Sequence, residues 1–328
     1  MLVILETLPN LDKIVLKELA IRNVPVNVKY SDQTSLIIEV SEEYVKLLRK
    51  LQTVTRLERC ITWIPYVNDI KEFRKVVRKT LREYSDYFEH GSIVNVVSRD
   101  VRDKILKILI REIERVFKCR LTRSRGDYEI YVRFFNRGFL ICINIGSIQP
   151  LYRRWYTVYK SRASLNPILA ATMSIIAGRY DVVLDPFAGS LTIPIEYVRF
   201  WKNTHVKCVD IEYEVLKKSI LNLKVLDILD KVDILCGDYF KIRFRDIECI
   251  ITDPPRGLRL RSSIELYLKF LQKASWEIVD YGCIVFITFS KIFKNIGREL
   301  QKLNLEVVDR VDTVQGGYKV SIVKLVRK

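Results

Sequence analysis

Asp253-Pro254-Pro255-Arg256-Gly257 follows the apolar run Cys249-Ile250-Ile251-Thr252 and brings together groups that could act on an amine. The Asp253 carboxylate and the backbone carbonyl of Pro254 can each accept one N–H hydrogen bond. An exocyclic amine on a nucleobase is a poor nucleophile, because its lone pair is delocalised into the ring. Two acceptors pull the nitrogen toward tetrahedral geometry and aim its lone pair at an electrophile. Arg256 offers a guanidinium plane that can stack on a base. A Pro-Pro turn after a strand is also ordinary punctuation. Its weight here comes from what lies upstream.

Val182-Val183-Leu184-Asp185-Pro186-Phe187-Ala188-Gly189-Ser190 reads as an apolar strand entering a small-residue turn and then a helix, the way doubly wound sheets open a nucleotide pocket. The dinucleotide pattern G-x-G-x-x-G is absent, which argues against NAD. Val206-Lys207-Cys208-Val209-Asp210 reads as a second strand ending in an acid, about 25 residues on, where a ribose-binding carboxylate is expected. Val232 to Asp238 reads as a third. Each acid alone could be a helix cap. Four strand ends in register, each with a ligand-type residue, resemble a class I S-adenosylmethionine methyltransferase. That resemblance implies Asp185, Phe187, Ala188 and Gly189 at the methionine end of S-adenosylmethionine and Asp210 on the ribose. It places Ile211 beside the adenine, and Asp238 and Tyr239 near its amino group. Asp253, Pro254, Pro255 and Arg256 would be the catalytic set.

The 328 residues suffice for two or three domains, and 56 Lys+Arg against 39 Asp+Glu leave a formal charge of +17. Such an excess favours a polyanionic partner, although a surface rich in Lys, Arg, Ile and Val accounts for part of it. Seven Cys without a C-x-x-C pair, and no signal-peptide pattern, point to reduced, buried thiols in a cytoplasmic protein. No apolar run reaches the roughly 18 residues of a membrane span. With only His90 and His205, neither a zinc site nor histidine acid–base catalysis is expected. A monomer without metal is expected.

The positioning elements follow from the patterning. A strand at Leu2–Leu5, a helix opened by Pro9 to Asp12, a strand at Ser35–Val40, a helix from Ser41 to about Leu51 and a strand at Cys60–Ile64 suggest a ferredoxin-like unit over residues 1–65. A second unit, 66–150, holds a helix (Ile70 to Tyr84), a strand (Ile93–Val97), a basic helix (Arg102 to Lys118) and two strands (Tyr128 to Phe135 and Phe139 to Ile145). On the basic helix Lys104, Lys107, Arg111, Arg115 and Lys118 recur every three or four residues, opposite an apolar face of Ile105, Leu109, Ile113, Val116 and Phe117. Such a stripe is either a solvated face or a phosphate contact; Arg120, Arg123 and Arg125 favour the second. A linker, 151–170, alternates bases and aromatics from Arg153 and Arg154 onward. It suits RNA, or equally a seam between domains. Residues 171–328 alternate strands and helices as a doubly wound sheet does, with a buried strand at Ile284–Phe289, a helix from Ile292 to Leu303 and a terminal hairpin around Gly316-Gly317.

In this order the pieces resemble the archaeal THUMP-domain tRNA guanosine-N2 methyltransferases, particularly the branch modifying acceptor-stem position 6. The resemblance rests on Leu151-Tyr152-Arg153-Arg154-Trp155-Tyr156, Ala163 to Met173, Asp185-Pro186-Phe187-x-Gly189-Ser190, Asp253-Pro254-Pro255-x-Gly257-Leu258 with Leu266 to Phe270 after it, and Gly316-Gly317-Tyr318-Lys319-Val320. It is strong from about residue 146 onward and weaker before. It implies an α/β chain: a ferredoxin-like unit, a THUMP domain and a C-terminal Rossmann-like class I methyltransferase domain acting on tRNA. Three departures stand out. Leu191 replaces a glycine where close backbone approach to the cofactor is expected, Ala188 replaces a cysteine, and Arg256 replaces the aromatic after Pro-Pro. Enzymes acting on tRNA position 10 or on rRNA guanine N2 share the chemistry, and a tRNA-binding module without activity is the alternative of a different class.

Overall fold

In the computed structural model, which describes residues 1–99, 101, 103–122, 124, 126–146, 151, 153–255, 260–297 and 299–327, the apolar runs pair into two sheets. The first takes β1 (Leu2–Glu6), β2 (Asn27–Ser31), β3 (Ser35–Glu39), β4 (Arg56–Pro65), β5 (Ile93–Arg99), β6 (Arg120–Thr122), β7 (Tyr128–Phe135) and β8 (Gly138–Asn144). Their order is β2-β3-β1-β4-β8-β7-β5-β6. Helices α1 (Asp12–Ile21), α2 (Val45–Leu48), α3 (Ile70–Arg82) and α4 (Asp103–Phe117) connect them. β4 pairs with β1 on one side and β8 on the other, so the sheet is continuous past residue 65.

α3 and α4 bury Phe73, Val77, Leu81, Ile108, Leu109, Ile113 and Phe117 against Ile130, Val132, Phe139 and Ile141 of β7 and β8. Asp69 caps α3 by accepting from the Glu72 N–H at 2.7 Å. The helix expected from Ser41 to Leu51 is short. A turn at Glu42–Tyr44 leads into α2, and the chain then leaves the helix because the buried Glu18 carboxylate takes the backbone N–H groups of Gln52 and Thr53 at 2.8 and 2.9 Å. β2, which the apolar pattern did not announce, is an exposed edge strand.

The second sheet holds β9 (Val182–Asp185), β10 (His205–Asp210), β11 (Val232–Cys236), β12 (Ile247–Thr252), β13 (Ile278–Phe289), β14 (Leu305–Gln315) and β15 (Tyr318–Arg327). The order is β11-β10-β9-β12-β13-β15-β14, parallel from β11 to β13 and antiparallel beyond. α5 (Pro167–Ala177), α6 (Thr192–Phe200), α7 (Tyr213–Leu226), α8 (Leu260–Glu277) and α9 (Ser290–Ile296) pack around it. The expected helix to Leu303 is divided: α9 ends before Gly297, and a separate turn spans Leu300–Leu303. Strand order reverses between β9 and β12, and such a switch point opens a crevice at the strands' carboxyl ends. The cysteines are free thiols. Cys60 and Cys142 face each other across β4 and β8, as Cys249 and Cys283 do across β12 and β13, and Cys236 is exposed. Among the described residues no helix is long and apolar enough to cross a membrane.

The segment between the sheets corrects one expectation. Arg154, expected on RNA, is buried at 8% exposure, and its guanidinium is fully engaged within the protein. It donates to Glu196 Oε1 (2.9 Å) and Oε2 (3.1 Å) on α6, to the Gln52 carbonyl (2.6 Å) and to the Leu151 carbonyl (2.7 Å). The Tyr156 hydroxyl, the Arg199 guanidinium (3.0 Å) and the Gln52 side-chain amide (2.6 Å) also reach the Glu196 carboxylate. Burial alone pushes Glu196 up; Arg154 and Arg199 outweigh it and hold the carboxyl below its ordinary value. The turn between α2 and β4, residues 151–156 and α6 therefore meet in one polar joint. Arg153 and Trp155, the neighbours of Arg154, face water.

Candidate active site

The strand ends come into register as the sequence implied. Cys208 pairs with Asp185, and Asp210 with Cys236, so the ends of β9, β10 and β11 stand side by side. Pro186 to Ser190, Asp210, Ile211, Asp238, Tyr239, Asp253, Pro254 and Pro255 line one cleft of about 790 Å³, a volume suited to a small-molecule ligand. Gly189 adopts φ +48°, and its N–H donates to Asp210 Oδ2 at 2.7 Å. Asp210 Oδ1 takes the Glu212 N–H at 2.9 Å, which orients the carboxylate at the rim with lone pairs to spare for hydroxyl donors. Ile211, 67% exposed, offers an apolar face beside it. Asp238 lines the cleft and accepts from the Phe240 N–H through Oδ1 at 3.0 Å.

Asp185 lies deepest, at 1% exposure. Its Oδ1 accepts from Thr252 Oγ1 on β12 at 2.7 Å and from the Phe187 N–H at 3.3 Å, while Oδ2 has no partner. Burial, with Asp210 and Asp253 adding negative charge nearby, pushes the carboxyl up to about 8. A buried carboxyl oxygen without a partner suits a ligand that brings a cationic donor, such as the ammonium of a methionine moiety, whose charge would favour release of the carboxyl proton. These residues fit S-adenosylmethionine: a donor-seeking acid in the depth, a glycine turn, and a ribose-type acid at the rim.

Pro254 keeps a usable acceptor. Tyr267 Oη lies 3.4 Å from the Pro254 carbonyl and 3.1 Å from that of Ile287; its one proton favours the shorter contact, leaving Pro254 able to take an amine hydrogen. Arg256, like Arg123 and Arg125, lies outside the described residues.

Two expectations change. Tyr239 borders the cleft, but its side chain is turned into the core, where the hydroxyl donates to Glu277 Oε2 at 2.6 Å and the ring meets Phe187 edge-on at 5.6 Å. It braces Phe187; Phe240, Phe289 and Tyr318 are further aromatics at the cleft. Leu191 adopts a left-handed conformation, φ 60° and ψ 24°, that sends its side chain wholly into the core and away from the cleft. It takes on the backbone shape that glycine would adopt freely, at about 1–2 kcal/mol, and does not crowd the site.

Other lining residues were not assigned to the cleft from the sequence, although Ala163 to Met173 and Gly316 to Val320 carried part of the resemblance. Ser161 to Leu165 close one side, tied by the Ser190 hydroxyl to Ser164 at 2.6 Å; Gln315, Gly316 and Tyr318 of the β14–β15 hairpin close another. In the first sheet's half, Lys104, Lys107, Arg111, Arg115 and Lys118 are exposed as expected. α3 beside α4 adds exposed Lys71, Arg74, Lys75, Lys79 and Arg82, with Arg78 clasping Glu112 of α4 through bonds of 2.9 and 3.0 Å. The three-and-four spacing of those bases was available in the sequence.

The second sheet and its flanking helices have a Rossmann-like, methyltransferase-type fold. Residues 154–310 match the family model described as RMKL-like, methyltransferase domain. The chain is 28% identical over 271 residues to the tRNA (guanine(6)-N2)-methyltransferase of Methanocaldococcus jannaschii, covering 68% of this chain and 70% of that one. The enzyme of the same name from Archaeoglobus fulgidus is 25% identical over 213 residues, 56% of this chain and 54% of that one. Among solved structures, TrmN from Thermus thermophilus superposes over 100% of this chain and 99% of its own with a TM-score of 0.77 at 18% identity. A possible methylase from Clostridium difficile 630 covers 98% and 97% with a TM-score of 0.74 at 15% identity.

Proposed function

We propose that the chain is an S-adenosylmethionine-dependent tRNA methyltransferase that forms N2-methylguanosine, at position 6 of the acceptor stem. The observation that carries this is the shared cleft: Asp210 with the turn Pro186 to Ser190 that follows the buried Asp185, and the amine-holding pair Asp253 and Pro254, line the same space. The two archaeal relatives named for guanine(6)-N2 support the substrate. S-adenosylmethionine supplies an electrophilic methyl whose bonding electrons leave with the thioether sulfur. Asp253 accepts one N–H of the guanine amine and Pro254 the other, which localises the nitrogen lone pair. Asp253 is also placed to receive the proton that the nitrogen sheds after transfer. Arg256 follows as a candidate stacking plane. Asp210 holds the ribose, Ile211 and Phe240 flank the adenine, and Asp238 meets its amino group.

The target base must leave a paired stem, at a cost of a few kcal/mol. Basic side chains on α3 and α4, with Arg123, Arg125 and Arg153, are the proposed phosphate contacts that offset it. The β1-α1-β2-β3-α2-β4 sequence with strand order β4-β1-β3-β2 supports reading residues 1–65 as a ferredoxin-like unit. Residues 66–150 are proposed as the THUMP domain, 151–170 as linker and 171–328 as the catalytic domain of a cytoplasmic monomer.

Incubation with tritiated S-adenosylmethionine and unmodified tRNA, followed by nucleoside mapping, tests the reading. Asp253→Ala should slow transfer about tenfold to 150-fold or more, the worth of about 1.5–3 kcal/mol in a charge-assisted hydrogen bond, with tRNA binding intact. Wild-type turnover in that variant would refute the amine clamp.

A further inference from the structure

In the cleft that Asp253 and Pro254 line, the hairpin tip presents two side chains that the scheme above leaves unused. Gln315 and Tyr318 are direct cross-strand partners flanking the two-residue turn Gly316-Gly317. Both glycines have positive φ, 56° and 84°, the backbone a tight hairpin of this length requires. Directly opposed residues project to the same face of a sheet, and both line the cleft. The Tyr318 ring is 66% exposed and packs on the Phe289 ring at 5.6 Å between centroids, so it is an open aromatic surface held in place from behind. Gln315 Oε1 is buried without a hydrogen-bond partner. Buried acceptors are rarely left so, and a ligand donor is one physical reason for it.

We propose that Gln315 and Tyr318 form the guanine-reading side of the cleft: Tyr318 stacks on the extruded base, and Gln315 reads its Watson–Crick edge. This rests on the guanine-N2 reading above. Along that edge guanine presents the N2 amine, then the N1–H donor, then the O6 acceptor. With N2 held by Asp253 and Pro254, the next atom needs an acceptor and the one after it a donor. The Gln315 amide carries both in that order, Oε1 for N1–H and Nε2 for O6. Adenine carries its exocyclic amine at the other end of the edge and a bare acceptor at N1. The proposal therefore accounts for base choice, which the amine clamp alone does not provide. The stack makes no such distinction, because every base has a π-face.

The test uses the full chain and two tRNA substrates, one with guanosine at the position that the wild-type protein modifies, the other with 2-aminopurine riboside there. 2-Aminopurine keeps the 2-amino group but lacks the N1 proton and O6. Wild type should favour guanosine in kcat/KM by roughly 10- to 100-fold, the worth of leaving a buried acceptor unpaired. Gln315→Leu should shrink that preference to about threefold or less, within the scatter of such comparisons. Intrinsic differences in amine reactivity affect both proteins equally and cancel between them. Gln315→Met, close in shape and without amide hydrogen-bonding atoms, answers the same question should the Leu variant fail to fold. Tyr318→Ala should lower kcat/KM on both substrates by roughly ten- to a hundredfold, the worth of one stacked base, leaving the preference intact. Tyr318→Phe should restore the rate. An undiminished guanosine preference in the Leu and Met variants would overturn the role of Gln315, and an unchanged rate in Tyr318→Ala that of Tyr318. Failure of the wild type to methylate any guanosine N2 would refute the underlying reading instead.

Discussion

Asp185 and Glu196 stand eleven residues apart in the chain, at the cleft and at the joint, and both carboxylates are withdrawn from water. Burial pushes each upward. At the joint, Arg154, Arg199, Gln52 and Tyr156 surround Glu196, and the net shift is downward. At the cleft, one hydroxyl and one backbone N–H reach a single oxygen of Asp185, two further acids stand nearby, and the net shift is upward to about 8. Equal burial thus accompanies opposite electrostatics. A completed network fixes how two parts of the chain sit together; an incomplete one leaves capacity for a molecule that is not part of the chain.

Three experiments would break or sharpen this contrast. Glu196→Ala leaves the Arg154 guanidinium buried without its carboxylate and should destabilise the protein by about 3–5 kcal/mol, read from urea unfolding. A loss below about 1 kcal/mol, the scale of an exposed pair, would mean that the joint contributes no more than surface contacts do.

Asp185→Asn tests the other side through pH. The carboxyl has an ordinary value of 3.8 and is pushed up to about 8, so between those values the folded chain holds a proton that the unfolded chain has released. The group's stabilisation is complete below the lower value and is lost as pH rises through the upper one, by about 1.4 kcal/mol per pH unit. The Asn variant should lack this slope between about pH 5 and about pH 8, while binding S-adenosylmethionine more weakly by calorimetry. Parallel pH profiles for the two proteins would show that Asp185 does not hold the proton.

The smallest effect belongs to Arg153. Its neighbour is locked in the joint while Arg153 faces water, so Arg153→Ala should leave stability within about 0.5 kcal/mol of wild type. If the side chain touches tRNA phosphate, the salt dependence of binding should flatten by about 0.7–0.9 in slope. An unaltered slope would remove the linker from the RNA-binding surface.

The cleft's acids were legible because each ends a run of apolar residues, and a parallel sheet brings such ends together whatever the intervening helices contain. Gly316-Gly317 announced the last hairpin for a local reason too, since two adjacent positive-φ positions favour glycine. Arg154 was not legible. Its partner Glu196 is 42 residues away, and nothing local separates an arginine that will be buried from its exposed neighbour Arg153. Tyr239 failed in the same way: its place beside Asp238 put it at the cleft, but Glu277, on another helix, turned the ring inward. Gln315 depended on strand register, which no motif encodes. β2 was hidden because an exposed edge strand needs no alternation of apolar residues.

The strand β4 has a consequence for how the N-terminal half can be divided. Its residues Val3-facing Arg59 and Cys142-facing Cys60 show it hydrogen-bonded along both edges. A fragment beginning after residue 65 would leave β8 with a bare row of N–H and C=O groups beside Phe139, Leu140 and Ile141. Such an edge invites self-association between copies. A fragment ending at residue 65 would expose the opposite edge of β4. The first sheet is thus continuous through β4, and an N-terminal fragment that keeps its strand edges paired has to be cut from the chain as one piece.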